Sequence, residues 1–186
     1  MSILFNKWRN RAHSDAVTGF TLVELLVVIA IISILATLLL LQLGIARAKA
    51  RDVKRIADVN QVRSALEQYY DQNGSYLANN DMSVLTPLYL INIPKDPLAG
   101  GTNTYDGVAT GGARHYGYAW NALTSPTQYQ LWTQLEQPNR NALQSAAHIN
   151  SSAWAGGAAG VNNSSIVIPT TCTAGGLNCV FDLGQT

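Results

Sequence analysis

The chain has 186 residues, of which 47% are apolar and 12% charged, about half the charged share of an ordinary soluble protein. A formal net charge of +1 excludes a charge-driven disordered chain, and it argues against a nucleic-acid binder that works through a broad basic face. Two cysteines are too few for a disulfide scaffold or a four-cysteine zinc cluster.

The apolar excess is concentrated near the N-terminus. Leu25 to Leu41 reads LLVVIAIISILATLLLL, with only Ser33 and Thr37 polar. Extended by Phe20 to Glu24 and by Gln42 to Gly44, this run is long enough as a helix to cross a hydrocarbon core of ~30 Å. Lys7, Arg9 and Arg11 make the segment before it a basic leader. A signal anchor fits these features, and so does a cleaved secretory signal. Against the second, the run exceeds the ~7–15 residues of an ordinary signal core, although Gly44-Ile45-Ala46 offers a small-x-small cleavage site beyond it. Neither accounts for Glu24. A carboxylate there costs up to ~2.5–3.5 kcal/mol at bilayer depth, and no Lys or Arg lies within one helical turn to pair with it.

Gly19-Phe20-Thr21-Leu22-Val23-Glu24-Leu25 closely resembles the processing site of type IV prepilins and type II secretion pseudopilins. The resemblance implies cleavage between Gly19 and Phe20 by a membrane-embedded prepilin peptidase on the cytoplasmic side, then N-methylation of Phe20. It also implies a partner for Glu24: the new α-amino group of Phe20, on a neighbouring subunit. One count opposes this orientation. Arg47, Lys49, Arg51, Lys54 and Arg55 follow the run, five basic residues against three in the leader, so positive-inside counting leaves the C-terminal part cytoplasmic. The motif requires the leader in the cytoplasm and is followed here, with an inverted membrane anchor as the alternative.

Helical periodicity continues past the membrane run. Ile45, Ala48, Asp52, Ile56, Val59, Val62, Leu66 and Tyr69 form one mostly apolar stripe, with Arg51, Lys54, Arg55, Asp58, Arg63 and Glu67 on the other faces. Asn73-Gly74 supplies a stop suited to left-handed geometry, which predicts one helix over 20–73, roughly 80 Å long. The basic cluster at 47–55 reads as a solvated face, or in a filament as a partner for acidic groups on neighbouring subunits. Many family members carry Pro near the middle of the membrane helix; Leu41 stands there in this chain, leaving Gly44 as the nearest weak point.

Residues 75–113 read as a connecting loop with an apolar patch from Leu85 to Ile93. Arg114 to Trp120 and Gln128 to Glu136 alternate as strands, the first placing Tyr116, Tyr118 and Trp120 on one face, the second Tyr129, Leu131, Thr133 and Leu135. Asn121 to Thr127 suits the hairpin between them. A third strand is expected at Ser165 to Ile168, and Pro138 to Asn150 has a weak helical reading. Tyr69-Tyr70, Asn73-Gly74-Ser75-Tyr76, Ile93-Pro94-Lys95-Asp96-Pro97, Tyr116-x-Tyr118 and Tyr129-x-Leu131 are similar to pilin landmarks in their usual order. The resemblance implies an α+β fold in which a long N-terminal helix carries a small antiparallel sheet.

No catalytic constellation is visible. His13, His115 and His148 are scattered, and there is no phosphate-binding loop, nucleophile elbow or metal-spaced His/Cys set, so neither an enzyme nor a cofactor is expected. Asp96, Asp106 and Asp182 are the candidate oxygen ligands, calcium being held in the head of some secretion pseudopilins, but they lack ligand-like spacing. Cys172 and Cys179 have the wrong spacing for zinc or redox chemistry. In an exported pilin-like head the pair implies a disulfide around a small C-terminal loop. Residues 150–165 are nearly low-complexity, with Trp154 isolated among small residues and Asn-x-Ser triplets at Asn150 and Asn162, which reads as a mobile surface loop.

These readings divide the chain into a leader (1–19), a membrane and polymerisation helix (20–44), its amphipathic continuation (45–73) and a head (74–186). The expected function is that of a pilin, a self-polymerising subunit of a surface filament, assembled by an ATPase and an inner-membrane platform. It resides in the membrane before assembly, and no specific nucleic acid is implied. The alternatives are a type II secretion pseudopilin and a tethered or secreted binding domain.

Overall fold

The computed structural model describes residues 19–98, 105, 116–121, 124–156, 172 and 179–185. Residues 1–18 of the leader, the strand expected at 165–168, Asp106, His115 and Asn162 lie outside them. The chain forms two compact units, Met1–Gln42 and Leu43–Thr186. One helix, α1 (Leu22–Asn73), contributes to both. It stops where Gly74 turns left-handed at φ 70°, its N–H donating to the Tyr70 carbonyl at 2.8 Å.

In the second unit the strands are β1 (Gly117–Trp120), β2 (Tyr129–Gln134), β3 (Ala155–Gly156) and β4 (Val180–Gln185). They form one antiparallel sheet in the order β3-β1-β2-β4. The short helix α2 (Arg140–Gln144) is capped by Asn139, whose side chain accepts from the Ala142 N–H. The β1–β2 hairpin is the expected one, held at its neck by Asn121, which bonds Thr127 and Gln128. Strand β4 was not expected from the sequence, because Asp182 and Gly184 break an apolar reading of its residues.

The register sorts the side chains into two faces. Tyr118 opposite Leu131, Trp120 opposite Tyr129, and Leu183 opposite Leu131 make the face that packs with Val59, Val62, Ala65 and Leu66 of α1. Much of the segment read as a connecting loop joins this core: Tyr76, Leu77, Met82, Leu85, Leu90 and Tyr105 are all buried in it. Rings stack through the layer, Tyr70 on Tyr76 and Tyr76 near Tyr129, with centroids 4.5 Å apart in both pairs. Their hydroxyl groups find acceptors. Tyr76 and Tyr129 donate to Glu67 at 2.9 and 2.8 Å, and Tyr116 donates to Asp58 at 2.6 Å. Burial first, and these carboxylates second, push the Tyr116 and Tyr129 hydroxyls above the ordinary phenol range, which keeps them protonated as donors.

The opposite face is not open to solvent. Ala119, Trp132 and Val180 form a second small core, and Trp154 packs against it instead of lying isolated in a loop. Gly117 permits this, since a Cβ there would fall 2.1 Å from the Trp132 ring. Gln130 donates to Asp182 at 2.7 Å and to the Ile149 carbonyl at 3.0 Å, and Ser151 donates to the other end of the same amide. Asp182 also accepts from the backbone N–H groups of His148 and Ile149. Its oxygens therefore fasten the 147–151 segment, and do not form the metal ligand considered from sequence. Among the described residues no His, Cys, Asp and Glu cluster could hold a metal ion.

The basic cluster at 47–55 requires a larger correction. Arg55 is fully buried, forked onto Asp96 at 2.6 and 3.0 Å, and bonded through Nη1 to Asp52 at 2.8 Å and Glu136 at 2.5 Å. Arg51 grips Glu136 from the other side at 2.8 and 2.5 Å. Asp52 in turn accepts the backbone N–H groups of Glu136 and Gln137. The acidic partners of Arg51 and Arg55 thus lie in the same chain, on the Ile93–Pro97 segment and just past β2, and not on neighbouring subunits. The Arg51 guanidinium, and then Arg55, hold the Glu136 carboxyl down at about 2 against a burial that raises it. A carboxyl depressed by folding stabilises fully above its unfolded value of 4.5, and the gain is lost as pH falls towards 2.

Cys172 and Cys179 are joined as a disulfide, and there is no free cysteine among the described residues.

The ion cluster sets how stability responds to acid. Full-length protein in detergent, unfolded by heat and followed by circular dichroism, loses stability between pH 4.5 and 2; the Glu136 share is roughly 3 kcal/mol, and Glu136→Gln flattens the loss. Arg55→Met takes the cation from Asp96 and leaves it beside Asp52 and Glu136, costs about 3–5 kcal/mol at neutral pH and recovers part of that in acid. An acid profile unchanged in Glu136→Gln would remove the ion cluster from the account of stability. For the disulfide, labelling unreduced protein with a thiol reagent finds no reactive cysteine, and reduction costs about 2–3 kcal/mol. Two reactive thiols in native protein would contradict the pairing.

Candidate assembly site

The site consists of the start of α1 and the apolar surface behind it. Every described residue from Gly19 to Arg47 is exposed, including Ile29 at 56%, Ile34 at 63% and Leu39 at 70%. Two hydroxyls, Ser33 and Thr37, interrupt the apolar run from Leu25 to Leu41, and both are satisfied by the helix itself. Ser33 donates to the Ile29 carbonyl at 2.7 Å and Thr37 to the Ile34 carbonyl at 2.8 Å. That is what a hydrocarbon surround requires of a polar side chain. The helix is long and apolar enough to cross a membrane. It runs unbroken through Leu41 and Gly44.

At the tip, Gly19, Phe20 and Thr21 precede the helix and α1 begins at Leu22. Glu24 accepts the Thr21 backbone N–H at 2.9 Å and the Thr21 hydroxyl at 2.8 Å, and its own N–H donates back to Thr21 Oγ1 at 3.2 Å. Thr21-Leu22-Val23-Glu24 is therefore a capping box, with the Thr and Glu side chains each satisfying the other's orphan N–H. Thr21 is the functional residue that the reading from sequence missed, although its Thr-x-x-Glu spacing was visible there. Both Thr21 contacts go to Glu24 Oε2. No bond reaches Oε1 among the described residues, so the carboxylate is held in place and retains an open acceptor. Phe20, four residues before Glu24, is 86% exposed. The cysteine pair is far from this tip in sequence, on Cys172 and just before β4.

The comparisons with known proteins concern this same segment. Residues 16–40 match the family model for the prokaryotic N-terminal methylation motif. Over 61 residues the chain is 48% identical to the type IV wide pilus major component PilA4 of Thermus thermophilus, a match covering 33% of this chain and 47% of that protein. Over 99 residues it is 32% identical to the type II secretion system core protein G of Escherichia coli K12, covering 45% of this chain and 68% of that protein. No solved structure matches. With the long apolar helix, the four-stranded antiparallel sheet and the methylation motif in one molecule, the chain belongs to the type IV pilin and type II secretion pseudopilin family.

Proposed function

We propose that this chain is a pilin, a structural and non-catalytic subunit of a type IV pilus-like surface filament. The observation that carries this reading is an apolar helix exposed on all sides and headed by a carboxylate with an open oxygen. Lipid covers such a surface in a single subunit, and the same surface on further copies covers it in a filament. In this reading residues 1–19 are the leader, removed by a prepilin peptidase that then methylates Phe20, and residues 20–44 are the membrane and polymerisation segment. Residues 45–73 continue the helix under a head formed by 74–186. An assembly ATPase and an inner-membrane platform move the subunit from membrane to filament.

The amine released at Phe20 is a cation in the vicinity of Glu24. Pairing with the Phe20 amine of an adjacent subunit makes Glu24 a register device, because a slipped helix leaves both charges unpaired in hydrocarbon. A second reading, a type II secretion pseudopilin, is favoured by the longer reach of the match to core protein G. A retraction ATPase encoded nearby supports the pilus, and an outer-membrane secretin with its secretion partners supports the pseudopilus.

Mass spectrometry of the mature protein is expected to give a chain starting at Phe20 with a methylated amine, and Gly19→Val to leave the precursor uncut and filaments absent. Glu24→Gln keeps the shape and loses the charge; at equal membrane level by immunoblot it assembles few or no filaments in electron micrographs. Wild-type filament numbers in either variant would overturn the corresponding assignment.

A further inference from the structure

The structure divides the five basic residues that follow the apolar run. Arg51 and Arg55 close on carboxylates of the head, and Lys54 lies 3.8 Å from Asp58. Arg47 and Lys49 are exposed and meet no carboxylate among the described residues. A third cation in that condition, Arg140, comes from α2 and lines one groove of about 370 Å³ together with Lys49. Gln137, Asn139 and Asn141 add amide side chains to its walls. Among the described residues Asp52 is the only acid lining it, and both Asp52 oxygens are already engaged by Arg55 and by the N–H groups of Glu136 and Gln137. The groove thus holds two uncompensated positive charges beside hydrogen-bonding amides.

We propose that this groove binds the phosphate of an anionic phospholipid headgroup while the subunit is in the membrane. The inference rests on the membrane-inserted state of the function proposed above. Lys49 follows Gly44 by five residues in the same unbroken helix, a rise of about 7.5 Å. The polar headgroup layer beyond the hydrocarbon is itself ~5–7 Å deep, so the Lys49 backbone stands at its outer edge, and the long Lys stem, which leans towards the N-terminal, membrane end of the helix, brings the ammonium to the level of lipid phosphates. A carboxylate of a second copy is the competing occupant. The exposed acid of α1 without a basic partner in the second unit is Asp71, 22 residues further along, so a copy must shift by about 33 Å to bring it to Lys49. Lipid phosphate is at the right level for every subunit. The site also accounts for basic residues lying on the far side of the membrane from the leader, against the usual bias. Most of that charge is neutralised within the head, and the remainder faces headgroups.

The test reconstitutes the full-length chain into vesicles of phosphatidylcholine alone and of an equimolar mixture with phosphatidylglycerol. Lipid retained after detergent extraction is then identified by native mass spectrometry. Phosphatidylglycerol is expected to be retained over phosphatidylcholine. Lys49→Gln and Arg140→Gln each reduce that preference about fivefold. Arg140→Lys restores most of it. Arg63→Gln removes an exposed cation outside the groove and leaves the preference unchanged. Insertion without a preference, or an equal loss in Arg63→Gln, overturns the site while leaving the membrane reading intact. Loss of the preference on adding inorganic phosphate makes it a free-anion site, and its replacement by a Lys49–Asp71 crosslink between copies makes it a subunit contact; either overturns the lipid assignment. A chain that does not enter phosphatidylcholine vesicles defeats the membrane reading and this inference with it.

Discussion

The buried guanidinium of Arg55 is the constraint on which the head depends. A charge taken fully out of water must be matched by partners on its donors, and here the matching groups come from three stretches of chain. Asp52 is one helical turn away, Asp96 lies on the Ile93–Pro97 segment, and Glu136 lies just past β2. Hydrophobic burial alone would tolerate some sliding of the sheet over α1. A forked ion pair does not, because a small shift unpairs a charge in a low-dielectric interior. Apolar packing therefore stabilises the layer, and the Arg55 cluster fixes where the layer sits along α1. The tyrosine hydroxyls bound to Glu67 and Asp58 repeat the same device further along the helix.

Much of this was legible in the sequence, and the gaps have physical causes. The helix, its stop at Gly74 and the β1–β2 hairpin were readable because each has a local signal: periodicity, a left-handed residue, alternation flanking a turn. Charge pairing has no local signal. Arg55 and Glu136 are separated by 81 positions, and nothing near either announces the other. A charged residue on a helix defaults to solvent, so the cluster was read as a solvated face. The second sheet face was missed for a related reason, since Gln130 and Asp182 look like outward-facing polar residues until Ser151 and the 147–149 backbone are folded over them. At the functional tip the reverse held. The Gly19–Glu24 motif is plain in the sequence, and the Thr-x-x-Glu spacing within it is a local capping signal as well.

The Thr21 hydroxyl changes how the tip is understood. An apolar helix entering a membrane must satisfy its first N–H groups without water, and the Thr21–Glu24 box does so with side chains the helix already carries. Glu24 is thus a structural cap of the helix, and its second oxygen is left without a bond among the described residues. The cap uses only one of the two carboxylate oxygens.

The order of the sheet has a consequence for how heads meet. Strand β4 is an outer strand six residues long, the kind of open margin along which proteins zip together unintentionally. Here the margin is interrupted at its centre. The Ala147 N–H occupies the Asp182 carbonyl at 2.9 Å, and the Asp182 side chain is a charge buried beneath the neighbouring segment. The opposite margin is formed by β3, only two residues long. Among the described residues neither border offers a run of unpaired amides long enough to template a strand from another molecule. These described margins therefore disfavour amyloid-like zippering of one head onto another.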